Sequence, residues 1–132
     1  MRNKPCLTSA DMRKMMAACV AEADNNKWNV SVAIVDEAGF LLGFERMDGA
    51  PPISTKVSFG KARTSALTKR PSKFFEDRVK ERPAFANFPA GILIQGGLPI
   101  MHQNECVGAI GVSGVQSHED EQVAQAGIKA LG

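Results

Sequence analysis

Near the N-terminus Met12, Met15, Met16, Cys19, Val20 and Ala23 recur at helical spacing and form a single apolar stripe. The stripe predicts an amphipathic helix over 9–25. Thr8-Ser9-Ala10-Asp11 has the spacing of a capping box, Leu7 and Met12 can form a hydrophobic staple, and Asp24-Asn25-Asn26 supplies a turn at the far end. The methionines are read as packing material, because a flexible thioether fills irregular gaps where a helix meets a sheet. The period then changes to two. Val30, Val32 and Ile34 alternate with Ser31, Ala33 and Val35, Asp36-Glu37-Ala38-Gly39 turns the chain, and 40–45 returns as the second arm of a hairpin.

Two prolines make 48–52 a loop, since neither a helix interior nor a sheet ladder accepts them. Ser54 is placed to cap a helix running to Thr68, whose small residues Ser58, Gly60, Ala62, Ser65 and Ala66 allow close approach to a sheet. Pro71 stops it, 72–82 can form a shorter helix, and 83–89 is a loop bearing Phe85 and Phe88. Three more strands are predicted at 92–95, 98–103 and 106–113, followed by a helix capped at Ser117 by a second capping-box spacing, Ser117 to Asp120. The order is helix, two strands, one or two helices, three strands, helix. Tight hairpins imply antiparallel pairing, so the class is α+β: a central antiparallel sheet of about five strands flanked by helices.

At 132 residues, 44% hydrophobic and 23% charged, the chain suits one globular domain, 1–132. Sixteen Lys+Arg against fourteen Asp+Glu is far from the basic balance of a nucleic-acid binder, and no apolar run approaches the roughly 20 residues of a membrane span. The basic N-terminus lacks an apolar region, so no signal peptide is expected. Cys6, Cys19 and Cys106 lack metal or redox spacing, and read as free thiols of a cytoplasmic protein.

The distribution of charge matters more than its total. From Gly49 to Phe75 there is no acid, yet Lys56, Lys61, Arg63, Lys69, Arg70 and Lys73 fall there, a positive face able to attract carboxylates or to pair with acids elsewhere. Lys61, between Gly60 and Ala62, sits where the helix should face the sheet. Arg46, with Asp48 just beyond, can grip an anion at a strand end or merely pin the loop. Gly96 and Gly97 can offer backbone amides, and Ser113 a hydroxyl at a pocket edge, although no nucleophile–base arrangement accompanies it. His118, beside three acids, reads as exposed; His102 lies near a turn, and the pair lacks zinc-ligand spacing. Phe74, Phe75, Phe85 and Phe88 read as core or subunit contact.

The series Val32-Ala33-Ile34-Val35-Asp36, Arg46-Met47-Asp48-Gly49-Ala50, Lys61-Ala62-Arg63-Thr64, Gly96-Gly97-Leu98-Pro99-Ile100 and Val107 through Gly114, with Asp120-Glu121, Ala124 and Gly127, resembles the GlcG/HbpS-like family, which includes PduO C-terminal-like domains. The resemblance runs from about Leu7 to Leu131. It implies a profilin-like fold, assembly as dimers or octamers, and a pocket with Arg46, Asp48, Lys61, Gly96, Gly97 and Ser113. The segment Val115-Gln116-Ser117-His118 departs from the family's glycine-rich stretch.

Two functions follow from that resemblance. One is binding of haem or another tetrapyrrole, with His102 as candidate axial ligand, the cations meeting the propionates, and no other metal expected. The other is a small-molecule enzyme (isomerase, tautomerase or hydrolase) acting on an organic acid in a catabolic pathway, with Arg46, Lys61 and Asp48 as catalytic candidates. A third possibility is an accessory subunit without chemistry. No nucleic acid or membrane partner is expected.

Overall fold

The computed structural model describes residues 1–132. Its elements are α1 (Ser9–Asn25), β1 (Ser31–Asp36), β2 (Leu41–Arg46), α2 (Ser54–Thr68), α3 (Ser72–Glu81), a 3-10 turn (Pro83–Asn87), β3 (Gly97–His102), β4 (Glu105–Ser113) and α4 (Ser117–Leu131). The four strands form one antiparallel sheet in the order β2-β1-β4-β3. The chain is therefore α+β, with one strand fewer than the sequence suggested.

Alternation along the strands sorts the two faces. Val30, Val32, Ile34, Leu98, Ile100, Ile110 and Val112 point to one side and pack with Met15, Cys19 and Ala23 of α1 and Val123 and Ala124 of α4. Ala33, Val35 and Ala109 point to the other, where Ala62 and Ala66 of α2 meet them. Small side chains on both partners draw α2 down to the sheet. A Cβ added at Gly111 would stand 2.1 Å from the Ser58 carbonyl and 2.4 Å from the Ala62 nitrogen.

The missing strand has a physical reason. The apolar run 92–95 finds its hydrogen bonds in α2 and α3 instead of in a ladder. The Thr64 hydroxyl donates to the Ile92 carbonyl at 2.9 Å, the Ser72 hydroxyl donates to the Ile94 carbonyl at 2.6 Å, and Glu76 accepts the Gln95 amide at 3.2 Å. Helix starts differ too. The α1 capping box forms as expected, Thr8 accepting the Asp11 amide and Asp11 accepting that of Thr8. At α2 the cap position is Ile53, while Ser54 is buried with its hydroxyl 2.7 Å from that of Ser31. At α4 the cap is Gln116, whose amide Glu119 accepts, so Asp120 is free for a different role.

Candidate functional site

Lys61 lies on the sheet-facing side of α2 and is 2% exposed. Its ammonium donates to the Val112 carbonyl at 2.9 Å and to Asp120 at 3.1 Å. The Val112 amide bonds the Gly96 carbonyl at 3.0 Å, so its own carbonyl faces the same way, just past the start of β3. Lys61 supplies the donor that the ladder lacks there. The opposite face of the sheet contributes Asp120, which also accepts the Val115 amide at 3.2 Å. Burial pushes the Asp120 carboxyl above its ordinary range, while the Lys61 charge and hydrogen bond and the Val115 amide pull it back.

The glycines expected to offer amides make room instead. A Cβ on Gly96, whose φ is +135°, would sit 2.7 Å from the Lys61 nitrogen, and one on Gly97 would sit 2.4 Å from the Lys61 carbonyl. The Gly97 amide is already taken, donating to the Ser72 hydroxyl at 2.8 Å. Ser113, half-buried, ends β4 opposite Ser31. Lys61, Gly96 and Gly97 thus come together, around an internal ion pair and not around one of the larger surface hollows.

Arg46 and Asp48 are elsewhere. Both are exposed and line an open depression of about 450 Å³ with Asp24, Asn29 and Glu45. Three carboxylates, Asp24, Glu45 and Asp48, share the depression with one guanidinium, a balance that repels anions more than it draws them. The depression shares Val20, Asp24 and Glu45 with a trough of about 700 Å³ between α1 and β2, walled by Met12 and Met16 above Gly43. Met15 is fully buried, and Met12 and Met16, packed partly against the same core, wall this trough with Val20. Arg46 and Lys61 therefore do not converge on one anion-receptive hollow: Lys61 lines neither space.

His102 occupies a third place. Gln103 and Asn104 both adopt positive φ, 51° and 64°, in the two-residue turn joining β3 to β4, and this places His102 at the end of β3 opposite Glu105. It lines a hollow of about 270 Å³ together with Cys6 and Met101, against apolar walls that include Leu7, Ile100, Val107 and Leu131. Arg2, ion-paired with Glu105, brings a cation to the same strand end. Asp11 also lines the hollow; its pKa is lowered by the Thr8 amide and hydroxyl of the capping box, with smaller help from Lys14 and His102. Cys6 is the exposed thiol of the three; burial pushes Cys106 up and Cys19 to about 12. His118 is exposed beside Glu121, and no cluster of three or more metal-ligating side chains is assembled. No helix is long and apolar enough to cross a membrane.

Sequence reasoning flagged His102 but not its neighbours. Met101 directly precedes His102 in β3, whereas Cys6 carries no local signal, because only the fold brings the N-terminal segment to that strand.

The same arrangement of helices and strands occurs in known proteins. The chain is 39% identical over 114 residues to the protein GlcG of Escherichia coli strain K12, covering 86% of this chain and 85% of that one. The crystal structure of a double mutant of Streptomyces reticuli HbpS superposes with a TM-score of 0.93 at 33% identity, covering 100% of this chain and 91% of that one. PduOC, crystallised in complex with haem, shares the fold with a TM-score of 0.89 at 24% identity, covering 96% and 95%. The family model described as haem degrading protein HbpS-like matches residues 7–129, and with these relatives it shows that the chain belongs to the HbpS-like family.

Proposed function

We propose that this chain is a small-ligand-binding protein that takes haem or a comparable carboxylate-bearing tetrapyrrole, whose iron His102 would hold. One observation carries the reading: His102, Met101 and Cys6, all side-chain types that bind haem iron, line one hollow with apolar walls. The family description and the haem complex of a protein with the same fold point the same way. The fit is partial in size. About 270 Å³ is below the usual range of ligand pockets, so the hollow can take only part of a macrocycle. When bound, haem would supply an iron centre; the chain's own residues would provide a nitrogen ligand in His102 and apolar walls in Leu7, Ile100, Val107 and Leu131. An enzymatic role at Arg46 and Asp48 has less support, because Asp24 and Glu45 add two more carboxylates to the lining of that depression.

Haemin titration of the purified protein should give a saturable, stoichiometric Soret shift. His102→Ala should weaken it by about tenfold or more, roughly the 1.4 kcal/mol that one such factor represents. A non-saturating titration, or an unchanged one with His102→Ala, overturns the proposal.

For assembly we place a second copy of this chain on the open edge of β2. Phe40, Leu41 and Leu42 are 67%, 52% and 37% exposed there, and Leu41, Phe44 and Phe59 line an apolar hollow of about 270 Å³ beside it. Apolar, unpaired edge strands are prone to association.

A further inference from the structure

The surface of α3 and the following 3-10 turn is used by none of these hollows. Four phenylalanines form its base: Phe75, buried, stacks on Phe88 at 5.2 Å and 18°, Phe74 meets Phe75 edge-on at 5.2 Å, and Phe85 lies 5.6 Å from Phe88. Three arginines cover the outer rings. The Arg70 guanidinium carbon stands 4.3 Å from the centre of Phe74. That of Arg78 stands 5.1 Å from Phe74 and 5.8 Å from Phe85, and that of Arg82 stands 5.1 Å from Phe85. The result is a ladder, Arg70–Phe74–Arg78–Phe85–Arg82.

A guanidinium laid against a ring keeps its charge and its N–H edge while giving up side-chain freedom before any partner arrives. Only Arg78 has an acidic neighbour, Glu81 at 3.6 Å; Arg70 and Arg82 have none. The local acids are otherwise engaged, Asp77 by Lys73 at 2.8 Å and Glu76 by the Gln95 amide. From Lys69 to Arg82 six cations face three acids, a local charge of +3 against +2 for the whole chain, so the rest is 2 − 3 = −1. Exposed apolar groups lie beside the ladder: Phe88, 40% exposed, packs on Phe75 and Phe85, and Ile94, 43% exposed, is tied by its carbonyl to Ser72 at the start of α3.

Arginine and aromatic rings with apolar neighbours make the composition of a protein–protein contact, where arginine and aromatics dominate the binding energy. Single-stranded nucleic acid fits less well, since guanidiniums already cap the ring faces on which bases would stack. We infer that this face docks a carboxylate-rich segment of another protein. Its Asp and Glu side chains take the open edges of Arg70, Arg78 and Arg82, and its apolar side chains settle beside Phe88 and Ile94. The inference is independent of haem binding.

The test is fluorescence anisotropy of a labelled short peptide of glutamates interspersed with leucines, titrated with the intact protein at low and moderate salt. Saturable binding that weakens with salt is expected, and Arg78→Ala should weaken it about tenfold, the scale of one charge-assisted hydrogen bond. Lys80→Ala, off the ladder, should change it less than twofold. The decisive variant replaces Arg70, Arg78 and Arg82 with lysine, keeping the charge and losing the stacked fork. It should bind as weakly as Arg78→Ala, with an unchanged thermal melt. No saturation, or equal binding by the triple-lysine variant, overturns the inference. So does tighter binding to oligothymidylate or phosphatidylserine vesicles than to the peptide, or self-association through this face detected by light scattering and lost in Arg78→Ala.

Discussion

Helices α1 and α2 cover opposite faces of one sheet by opposite means. α2 presents Ser58, Ala62 and Ser65 to glycines and alanines, so its backbone nearly touches the strands and the seam is almost free of side-chain slack. α1 presents methionines to valines and isoleucines, stands farther off, and leaves the trough above Gly43. The contrast is of rigidity as much as of distance. Backbone atoms cannot yield to a new methyl group, whereas the end of a methionine can swing away.

Adding one methyl group to each seam tests this directly. A Cβ at Gly111 would meet the Ser58 carbonyl at 2.1 Å, and one at Gly43 would meet the Met12 sulfur at 2.2 Å. The nominal overlaps match, but the neighbours do not. Gly111→Ala should cost about 3 kcal/mol, the upper part of the range for overpacking, and lower the melting temperature by roughly 10 °C. Gly43→Ala should stay within about 1 kcal/mol, since Met12 can change rotamer and a strand glycine carries an entropy cost that alanine removes. Equal losses in calorimetry would break the comparison.

The ion pair beneath α2 should show an effect of the same size. Lys61→Met leaves the Asp120 carboxylate buried without its cation, which costs about 3–5 kcal/mol; Lys61→Met with Asp120→Leu should recover most of that loss. The pH dependence has a definite sign. Burial raises the native pKa of Asp120 above its ordinary 3.8, so its contribution to stability is complete below the unfolded carboxylate range and declines as pH rises through the raised value. Without Lys61 the opposing attraction is gone and the pKa rises further. The deficit of Lys61→Met should therefore be largest near neutral pH and shrink toward pH 4, as read by urea denaturation.

Much of this architecture is legible in the sequence because side-chain periodicity reports which face is buried. The alternation of Val32 and Ile34 with Ala33 and Val35 sorts the two layers, and the small residues around Lys61 mark it as facing the sheet. Periodicity is silent about where backbone groups find partners. The run 92–95 has a strand's composition and a loop's hydrogen bonds, made by Thr64 and Ser72 from helices earlier in the chain. Asp120 has the spacing of a helix-capping acid and becomes the counter-ion of a lysine 59 residues away. Arg46 and Asp48 are neighbours in sequence and in space, but nothing local to them indicates that Asp24, at the far end of α1, shares their depression.

A smaller effect separates the open edge of the sheet from its sealed middle. Leu41→Lys places a charge on the open edge of β2, at a side chain 52% exposed. Light scattering should show the assembled species replaced by monomer, while the unfolding free energy of the monomer changes by less than about 0.5 kcal/mol. Assembly that persists in this variant moves the subunit contact away from β2.

The smallest effect is expected at Arg46. It makes no ion pair and is exposed, so Arg46→Ala should shift stability by no more than about 0.5 kcal/mol, against several for the buried Lys61. Its value is as a locator. The depression holding Arg46 begins at Asp24, near the end of α1, whereas the His102 hollow begins at Asp11, near its start. At 1.5 Å per helical residue the two are roughly 20 Å apart. Haemin affinity should therefore be unchanged within about twofold in Arg46→Ala and fall in His102→Ala. The reverse pattern would move the ligand to the trough between α1 and β2, where Met12 and Met16 would be its walls and the softer of the two helix seams its site.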